Sequence, residues 1–294
     1  MKFNKYIFYA ILAAVLYAIS TPISKLLLDK LSPIFIASLL YLGAGLGMSV
    51  MGIIRNKYTH ATYKPFTKKE LPAIISMIIL DIGAPILLMI GLNMSYPENV
   101  ALLNNFEIVA TALFAAFIFK ETIPKRLRYA ILFVTIASIL LSFEDITAFK
   151  FSLGSVFVIL ATISWGLENN FTRKLSFNDP LMVVVLKGIF SGLGSLIIAF
   201  ETKSVSFDIP AILLTLLLGF VAYGLSIFFY VSAQRELGAA KTSTFYAFAP
   251  FVGAILSLVI FLEVPKINFY LAIILMAIGS YLAATNGKKM IETN

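Results

Sequence analysis

The sequence predicts an all-α integral membrane protein in which ten transmembrane helices form two inverted five-helix repeats around a central cavity. The chain of 294 residues is 60% hydrophobic and only 13% charged, which is too little charge to cover the surface of a soluble protein. Its apolar runs last about 20 residues without strict alternation, as in membrane-spanning helices rather than the strands of a β-barrel. Similar blocks of sequence also recur in the two halves of the chain.

Ten apolar runs are candidate membrane spans, and we number them segments 1 to 10. The first run follows a basic start like that of a signal peptide, but it is long enough to span a membrane, so we predict that it is the first helix. The connections are short, and several contain Pro or Asp. The segments are residues 6–28, 33–54, 71–94, 99–119, 126–143, 153–174, 180–200, 209–231, 239–262 and 267–285.

Lysine and arginine predict the orientation of these segments, because cytoplasmic loops are enriched in both residues. With a cytoplasmic N-terminus, seventeen of the 23 Lys and Arg residues lie in inner connections, in the termini or at the inner ends of the segments. Only four lie in outer connections, namely Lys30, Lys150, Lys203 and Lys266. The sequence therefore predicts a multi-pass plasma-membrane protein with both termini in the cytoplasm. The net charge of +8 then reflects this loop bias rather than nucleic-acid binding.

The composition excludes several kinds of chemistry. Without cysteine, disulfides, thiol catalysis and thiolate metal sites are impossible. The only histidine, His60, lies in the polar connection after segment 2, so no histidine is available for a metal site in the membrane. The phosphate-binding pattern GxxxxGK[ST] is absent, so ATP is not expected to act directly. We expect no cofactor and no metal.

The internal repeat is clearest in segments 4 and 9. At a shift of 142 residues, Val100–Glu121 aligns with Thr242–Glu263, with five identical pairs. The same shift aligns segment 5 with segment 10, and a shift of 148 aligns segment 1 with segment 6. These blocks predict a duplicated five-helix unit, residues 1–145 and 146–294. Because five is odd, the second copy must be inverted in the membrane, as in alternating-access carriers with a site near the midplane.

Two stretches carry a resemblance to a known family: NNFEIVATALFAAFIFKE at residues 104–121 and FAPFVGAILSLVIFLE at residues 248–263. They resemble the EamA domain of the drug/metabolite transporter superfamily, and the likeness covers essentially the whole chain as two such units. This implies a ten-helix basket that carries amino acids, nucleosides, sugars, vitamins, quaternary amines or drugs, mostly outward. Ile108 stands where the first repeat often has proline, and Ala249 where a second glutamate could stand. The two halves are therefore not chemically equivalent, and the charge-dependent part of the function is expected to rest on the first half.

Ionisable residues inside predicted spans mark a functional site by default, because burying charge in a membrane is costly. Five lie away from the ends of their segments: Lys25, Asp81, Glu107, Glu168 and Lys187. At about 1.5 Å per residue, Asp81 and Glu107 lie near the midplane. Glu168 and Lys187 lie about a third of the way up from the cytoplasmic face. Lys25 is near the outer rim and is expected to extend towards water.

Glu168 and Lys187 are expected to meet, because the connection between segments 6 and 7 is short. Either they form a structural ion pair, or one of them contacts substrate. Asn169, beside Glu168, adds polar lining. Asp81 precedes Gly83 and Pro85 in segment 3, so it is expected either to line the site or to make a packing hydrogen bond.

Glu107 shares one helical face with Asn104 and Thr111, which lie three residues before it and four after it. Such a polar stripe suits a watery cavity better than lipid, although a protonated glutamate bonded to a neighbouring helix is the alternative. Asn104 and Thr111 are the hydrogen-bond partners expected for it. A group that can exchange a proton for a cation would couple transport to protons.

Three aromatic residues in the matched stretches are candidates for the cavity wall: Tyr17, Trp165 and Tyr246. An acidic cavity with aromatic walls suits an amine, another cation or an amphipathic amino acid. Packing against lipid or other helices is the competing interpretation for each of these rings.

The sequence thus predicts a secondary active transporter that moves a small organic metabolite, amine or amino acid across the plasma membrane as a proton-coupled exporter. Its expected partners are the substrate, protons and the lipid bilayer, with no nucleic acid and a monomer sufficient. The alternatives are a passive facilitator or an importer. A third alternative, an intramembrane enzyme, lacks the Ser/His pair, metal ligands or paired aspartates that it would need.

Overall fold

The computed structural model describes residues 5–59, 66–118, 120, 122–145, 150–175, 178–237, 242 and 245–285. The α-helices are α1 Lys5–Ala18, α2 Ser20–Leu27, α3 Pro33–Thr59, α4 Leu71–Asn93, α5 Pro97–Leu103, α6 Phe106–Phe117, α7 Lys125–Ser142, α8 Leu153–Leu175, α9 Pro180–Glu201, α10 Ile209–Leu218, α11 Ser226–Leu237, α12 Ala249–Phe261 and α13 Ile267–Thr285. A π-helix, Gly219–Leu225, joins α10 to α11. Two short antiparallel strands, β1 Phe143–Asp145 and β2 Lys150–Phe151, lie between α7 and α8.

The membrane-protein class is confirmed by the length and apolarity of these helices. Among the described residues, six helical stretches are long and apolar enough to cross a membrane, and they correspond to segments 1, 2, 3, 4, 7 and 8. Shorter apolar helices occupy Ala249–Phe261 and Ile267–Ala283, in segments 9 and 10. The total of ten spans and the inversion of the halves stay predictions, as do the boundaries of the two units.

Four segments that were predicted as single helices are interrupted. Segment 1 breaks at Ile19, where Pro22 lacks the N–H that the carbonyl of Ala18 would accept. Segment 4 breaks at Asn104 and Asn105, where the backbone forms a tighter turn with hydrogen bonds between residues three apart, such as Glu107 N–H to the Asn104 carbonyl at 3.1 Å. Segment 8 contains the π-helix. In segment 9, a turn at residues 247–248 precedes α12, while residues 238–241 and 243–244 lie outside the described part of the chain.

Helix packing joins the two halves of the chain. The main contacts pair segments 2 with 7, 3 with 6, 2 with 8, 1 with 8, 5 with 10 and 4 with 9. The contact of segment 3 with segment 6 matches that of segment 8 with segment 1. Likewise, the contact of segment 4 with segment 6 matches that of segment 9 with segment 1. Each of these main contacts has a counterpart when the halves are exchanged. The largest buried apolar cluster draws residues from both halves.

Segments 2 and 7 cross at two glycines. A Cβ atom on Gly188 would lie 2.4 Å from the backbone nitrogen of Gly45, a distance that no side chain can occupy. Small residues that let helix backbones touch are typical of helix interfaces in membranes. The crossing fixes the position of Lys187, the neighbour of Gly188 on segment 7.

The connections that follow the odd-numbered segments meet at one end of the molecule. Ser32 Oγ, after segment 1, donates to the carbonyl of Ser204, after segment 7, at 2.7 Å. Lys25 donates to the carbonyls of Leu92, Asn93 and Ser95 at 2.8, 3.2 and 3.0 Å. Lys25 is partly exposed at this end of the molecule, and its ammonium binds the carbonyl end of α4, where a cation is favoured.

Polar contacts also join connections at the opposite end. Arg55, near the end of α3, forms an ion pair of 2.7 Å with Asp179, which caps the start of α9 by accepting from the Leu181 N–H. Asn178 donates to Glu70 Oε1 at 2.6 Å. The connection between segments 2 and 3 is thereby linked to the one between segments 6 and 7.

Candidate functional site

Lys187 lies at the centre of a buried ion cluster that joins three helices. Its ammonium nitrogen is 3.1 Å from Glu168 Oε1 and 3.2 Å from Asp81 Oδ2. Asp81 and Glu168 are 0% and 1% exposed, and Lys187 is 9% exposed. The predicted meeting of Glu168 and Lys187 is confirmed. The participation of Asp81 was not predicted, because it depends on the packing of segment 3 against segments 6 and 7.

Tyr41 extends this cluster to the only tryptophan. Its hydroxyl donates to Asp81 Oδ1 at 2.8 Å and accepts from Trp165 Nε1 at 3.2 Å. On the other side of the cluster, Thr172 Oγ1 donates to Glu168 Oε1. These bonds offset part of the cost of burying the two carboxylates. Trp165 therefore has its polar edge directed at the ion cluster.

Glu107 is held by a residue of the other half. Asn169 Nδ2 donates to Glu107 Oε1 at 2.5 Å and lies 3.5 Å from Thr111 Oγ1. Glu107, Thr111 and Asn169 all remain partly exposed. The expectation that Asn104 is a partner of the Glu107 side chain is not met, because the hydrogen bond to Glu107 comes from Asn169 of segment 6 rather than from the same helix.

Close packing of segments 4 and 6 makes this bond possible. A Cβ atom on Gly166 would lie 2.7 Å from the backbone nitrogen of Thr111, so only glycine permits this approach. Asn170 Nδ2, one turn further along, donates to the Thr111 carbonyl at 3.2 Å and to the Gly166 carbonyl at 2.9 Å. The amide of Asn170 thus fixes the spacing of the two helices, and Asn169 beside it reaches Glu107.

Three helix interruptions converge near Asn104. A small cavity of about 10 Å³ lies between segments 1, 4 and 9, and its lining residues are Tyr17, Ala18, Thr21, Ala101, Asn104, Ala249, Pro250 and Gly253. Asn104 is 7% exposed, and its Oδ1 has no hydrogen-bond partner among the described residues. Interrupted helices in corresponding positions of two halves are a feature of binding sites in secondary transporters.

A row of tyrosine rings leads away from the ion cluster. The ring centroids of Tyr41 and Tyr223 are 5.6 Å apart, and those of Tyr223 and Tyr17 are 5.9 Å apart. Tyr17 lies 5.9 Å from Tyr246, which lies 4.8 Å from Tyr230. Such spacings are those of interacting aromatic pairs. The predicted Tyr17 and Tyr246 are therefore neighbours, and Trp165 is linked to them through Tyr41 and Tyr223.

Sequence reasoning missed Tyr41 and Tyr223. Tyr41 lies in an otherwise apolar stretch of segment 2, where a tyrosine gives no sign that its hydroxyl is buried. For Tyr223 there was a usable signal, since the run GFVAYGL at residues 219–225 contains two glycines in a membrane segment. That run forms the π-helix, an element that frequently occurs at functional sites.

Metal binding has no support from the arrangement of ligands. Within the described ranges, no group of three or more His, Cys, Asp or Glu side chains could hold a metal ion. Where Asp81 and Glu168 approach each other, the ammonium of Lys187 already supplies the positive charge. The cluster is therefore an ion-pair network made by the protein itself.

Comparison with known sequences decides the family. The sequence profile of the EamA-like transporter family matches residues 4–143 and again residues 152–285. The chain belongs to this family. The resemblance seen in the stretches around Glu107 and Pro250 is thereby confirmed, and the EamA protein is a membrane transporter by membership.

Relatives of the EamA protein carry transporter names. An "uncharacterized transporter" of Methanothermobacter thermautotrophicus is 24% identical over 297 residues, covering 95% of this chain and 85% of the relative. The "uncharacterized transporter YyaM" of Bacillus subtilis is 27% identical over 223 residues, covering 72% of this chain and 73% of the relative. A protein crystal structure with 16% identity has a TM-score of 0.69 and covers 99% of both chains, which shows a shared fold.

Proposed function

We propose that this EamA transporter is a secondary active carrier of a small organic cation, either an amine or an amino acid, and that it exchanges its substrate for protons. On this proposal it works by alternating access as an exporter in the plasma membrane, with both termini in the cytoplasm and one chain sufficient. The residues proposed to bind substrate or proton are Glu107, Asn104, Thr111, Asp81, Glu168, Asn169, Tyr17, Trp165, Tyr246 and Lys187.

The observation that carries the proposal is the hydrogen bond between Glu107 and Asn169. It joins an acidic residue of the first half to an amide of the second, in a region that stays partly exposed. A motion of one half against the other would break this bond and leave Glu107 free to bind a cation. The neighbouring tyrosine row supplies ring faces that attract cations.

Alternating access needs two halves that can exchange roles. The symmetric pattern of helix contacts and the double match to the EamA profile support an inverted repeat. So do the interruptions of segments 4 and 9 at nearly corresponding positions, residues 104–105 and 247–248. A relative rotation of two such halves would open the polar region first to one side of the membrane and then to the other.

Proton exchange follows from the charge of Glu107. A neutral glutamic acid is less costly in a membrane than a carboxylate, so the group favours holding either a proton or a cationic substrate. The two compete for one negative site, and this competition links their movements. The ion cluster is less suited to this role, because Lys187 already neutralises one of its two carboxylates.

The test is transport into proteoliposomes with an imposed proton gradient. Substrates are first found by thermal-shift screening of amines and amino acids on the purified protein. We expect Glu107→Gln to fold but to lose proton-driven accumulation, and Glu107→Asp to retain part of it. Glu201→Gln, at the exposed end of α9, serves as the matched control and should behave like the parent.

The pH dependence separates exchange from simple binding. Substrate affinity should fall at low pH in the parent, because protons compete for Glu107, and should not vary with pH in Glu107→Gln. A Gln variant that accumulates substrate with the parent's pH profile would assign Glu107 a structural role. Equilibration without accumulation in the parent would instead identify a passive facilitator.

A further inference from the structure

A second cavity lies at the end of the molecule where the odd-numbered connections meet. Its volume is about 630 Å³, within the range of small-molecule sites. The walls come from the connections after segments 3, 5 and 9 and from Lys25 of segment 1. We call it the vestibule. Its ionisable residues are Lys25, Glu98, Glu263 and Lys266, and it shares no lining residue with the site around Glu107.

The hydrogen-bond donors of the vestibule are already engaged. Three carbonyl oxygens accept hydrogen bonds from the Lys25 ammonium, and an ammonium has only three protons to donate. Lys266 also takes part in an interaction with the rest of the chain. Asn268 on the same wall donates to the carbonyls of Leu140 and Phe143 at 3.1 and 2.9 Å. These donors stabilise the vestibule and leave little capacity to bind an anion.

Glu98 has the unmet hydrogen-bond acceptor of the vestibule. Glu98 lies in the first turn of α5 and is only 3% exposed. Its Oε2 has no hydrogen-bond partner among the described residues. The ion pairs formed within the described part of the chain do not include Glu98. A buried carboxylate oxygen without a donor costs more free energy than almost any other polar group. A ligand that brings a cationic N–H donor into the vestibule removes that cost.

We infer that the vestibule binds a small organic ammonium ion, with Glu98 receiving the ammonium group and Glu263 providing a second, more exposed carboxylate. An ammonium group suits this site better than a metal ion. Two carboxylates in so large a cavity do not form the tight oxygen cage that a divalent cation requires. Asn93, Asn99 and Ser152 on the same walls can bond to the polar groups of an organic ligand. The site is separate from Glu107, and binding there does not depend on the proposed transport cycle.

The test uses three water-soluble probes of the same length that differ only in charge. These are 1,4-diaminobutane, 4-aminobutanol and 1,4-butanediol, titrated calorimetrically into the full-length protein in lipid nanodiscs. We expect affinity to fall in that order, with at least a tenfold difference between the diamine and the diol. Glu98→Gln should weaken amine binding about tenfold or more, and Glu263→Gln should weaken the diamine more than the amino alcohol. Equal affinities of the parent for all three probes would overturn the inference, whether or not Glu98→Gln folds.

Diamine binding to two further variants tests whether the ligand occupies the vestibule or the central site around Glu107. Glu107→Gln should keep diamine binding at the vestibule, so failure of the transport proposal leaves this test intact. Glu201→Gln controls for the loss of an exposed carboxylate and should have no effect. Diamine binding that is lost in Glu107→Gln and unchanged in Glu98→Gln would refute the vestibule site and assign the ligand to the central site.

Discussion

The ammonium of Lys187 lies 3.2 Å from Asp81 Oδ2, a contact between segments 7 and 3 and therefore between the two halves of the chain. Together with Glu168, these residues make a buried cluster of two carboxylates and one ammonium. Its charges are unequal, so the three residues should respond differently to neutralisation.

Neutralising Lys187 should be the most damaging single change in the cluster. Lys187→Met leaves two buried carboxylates without a counter-ion and should cost about 3–5 kcal/mol. Asp81→Asn or Glu168→Gln should cost less, because each leaves one ammonium paired with one carboxylate. The combined Asp81→Asn, Glu168→Gln variant should be much less stable than the sum of its parts predicts. Thermal unfolding in detergent measures this order, and additive effects would show that Lys187 has no energetic coupling to them.

Gly188 should not tolerate even a methyl group. Gly188→Ala would place a Cβ 2.4 Å from Gly45 N and 2.6 Å from Gly45 Cα, and backbone atoms can yield only if the two helices separate. We expect a loss of about 1–3 kcal/mol. Gly83→Ala is the control, because its Cβ would have nothing within 4 Å and alanine favours a helix by about 1 kcal/mol. Equal stability of the two variants would contradict the close crossing of segments 2 and 7.

Removal of the Tyr41 hydroxyl should change both the stability of the protein and the fluorescence of Trp165, the only tryptophan of the chain. Tyr41→Phe removes the acceptor of Trp165 Nε1 and a donor to Asp81, and should cost about 1–3 kcal/mol. The fluorescence maximum of Trp165 should move to shorter wavelength, because its indole loses a polar neighbour. Tyr129→Phe, on an exposed part of α7, should change neither stability nor fluorescence. An unchanged spectrum in Tyr41→Phe would show that the bond is not formed in the membrane.

Single cysteines should test the proposed orientation, since the chain has none of its own. Lys68 and Lys203 are both exposed and lie in connections predicted to face opposite sides. Lys203→Cys should react with an impermeant maleimide in intact cells, and Lys68→Cys only with a permeant one. Labelling of Lys68→Cys from outside would reverse the proposed topology.

Sequence reasoning was most successful where local pattern decides structure. Apolar run length identified the helical segments, and the short connection between segments 6 and 7 correctly placed Glu168 near Lys187. The role of Asp81 was left open because it depends on which distant helices touch. The bond from Asn169 to Glu107 was missed for the same reason, since it requires the close approach at Gly166.

The interruptions show a second limit of sequence reasoning. Pro22 was a visible signal for the break in segment 1, but Asn104 was interpreted only as part of the polar stripe on a continuous helix. The vestibule could not be foreseen either, because its walls come from connections that are far apart in sequence and meet only after the helices pack. Glu98 therefore looked like an ordinary residue of a short connection.

The π-helix at Gly219–Leu225 has a consequence for the history of the chain. A π-helical turn holds more residues than an α-helical turn over a similar rise, so it is a place where a helix can absorb a single-residue insertion without losing its length. Segment 8 contains such a turn, while segment 3, its counterpart in the predicted repeat, is an uninterrupted α-helix from Leu71 to Asn93. If the two helices are counterparts, one residue of segment 8 has no equivalent in segment 3. Aligning these two helices then requires a one-residue gap at the π-helix.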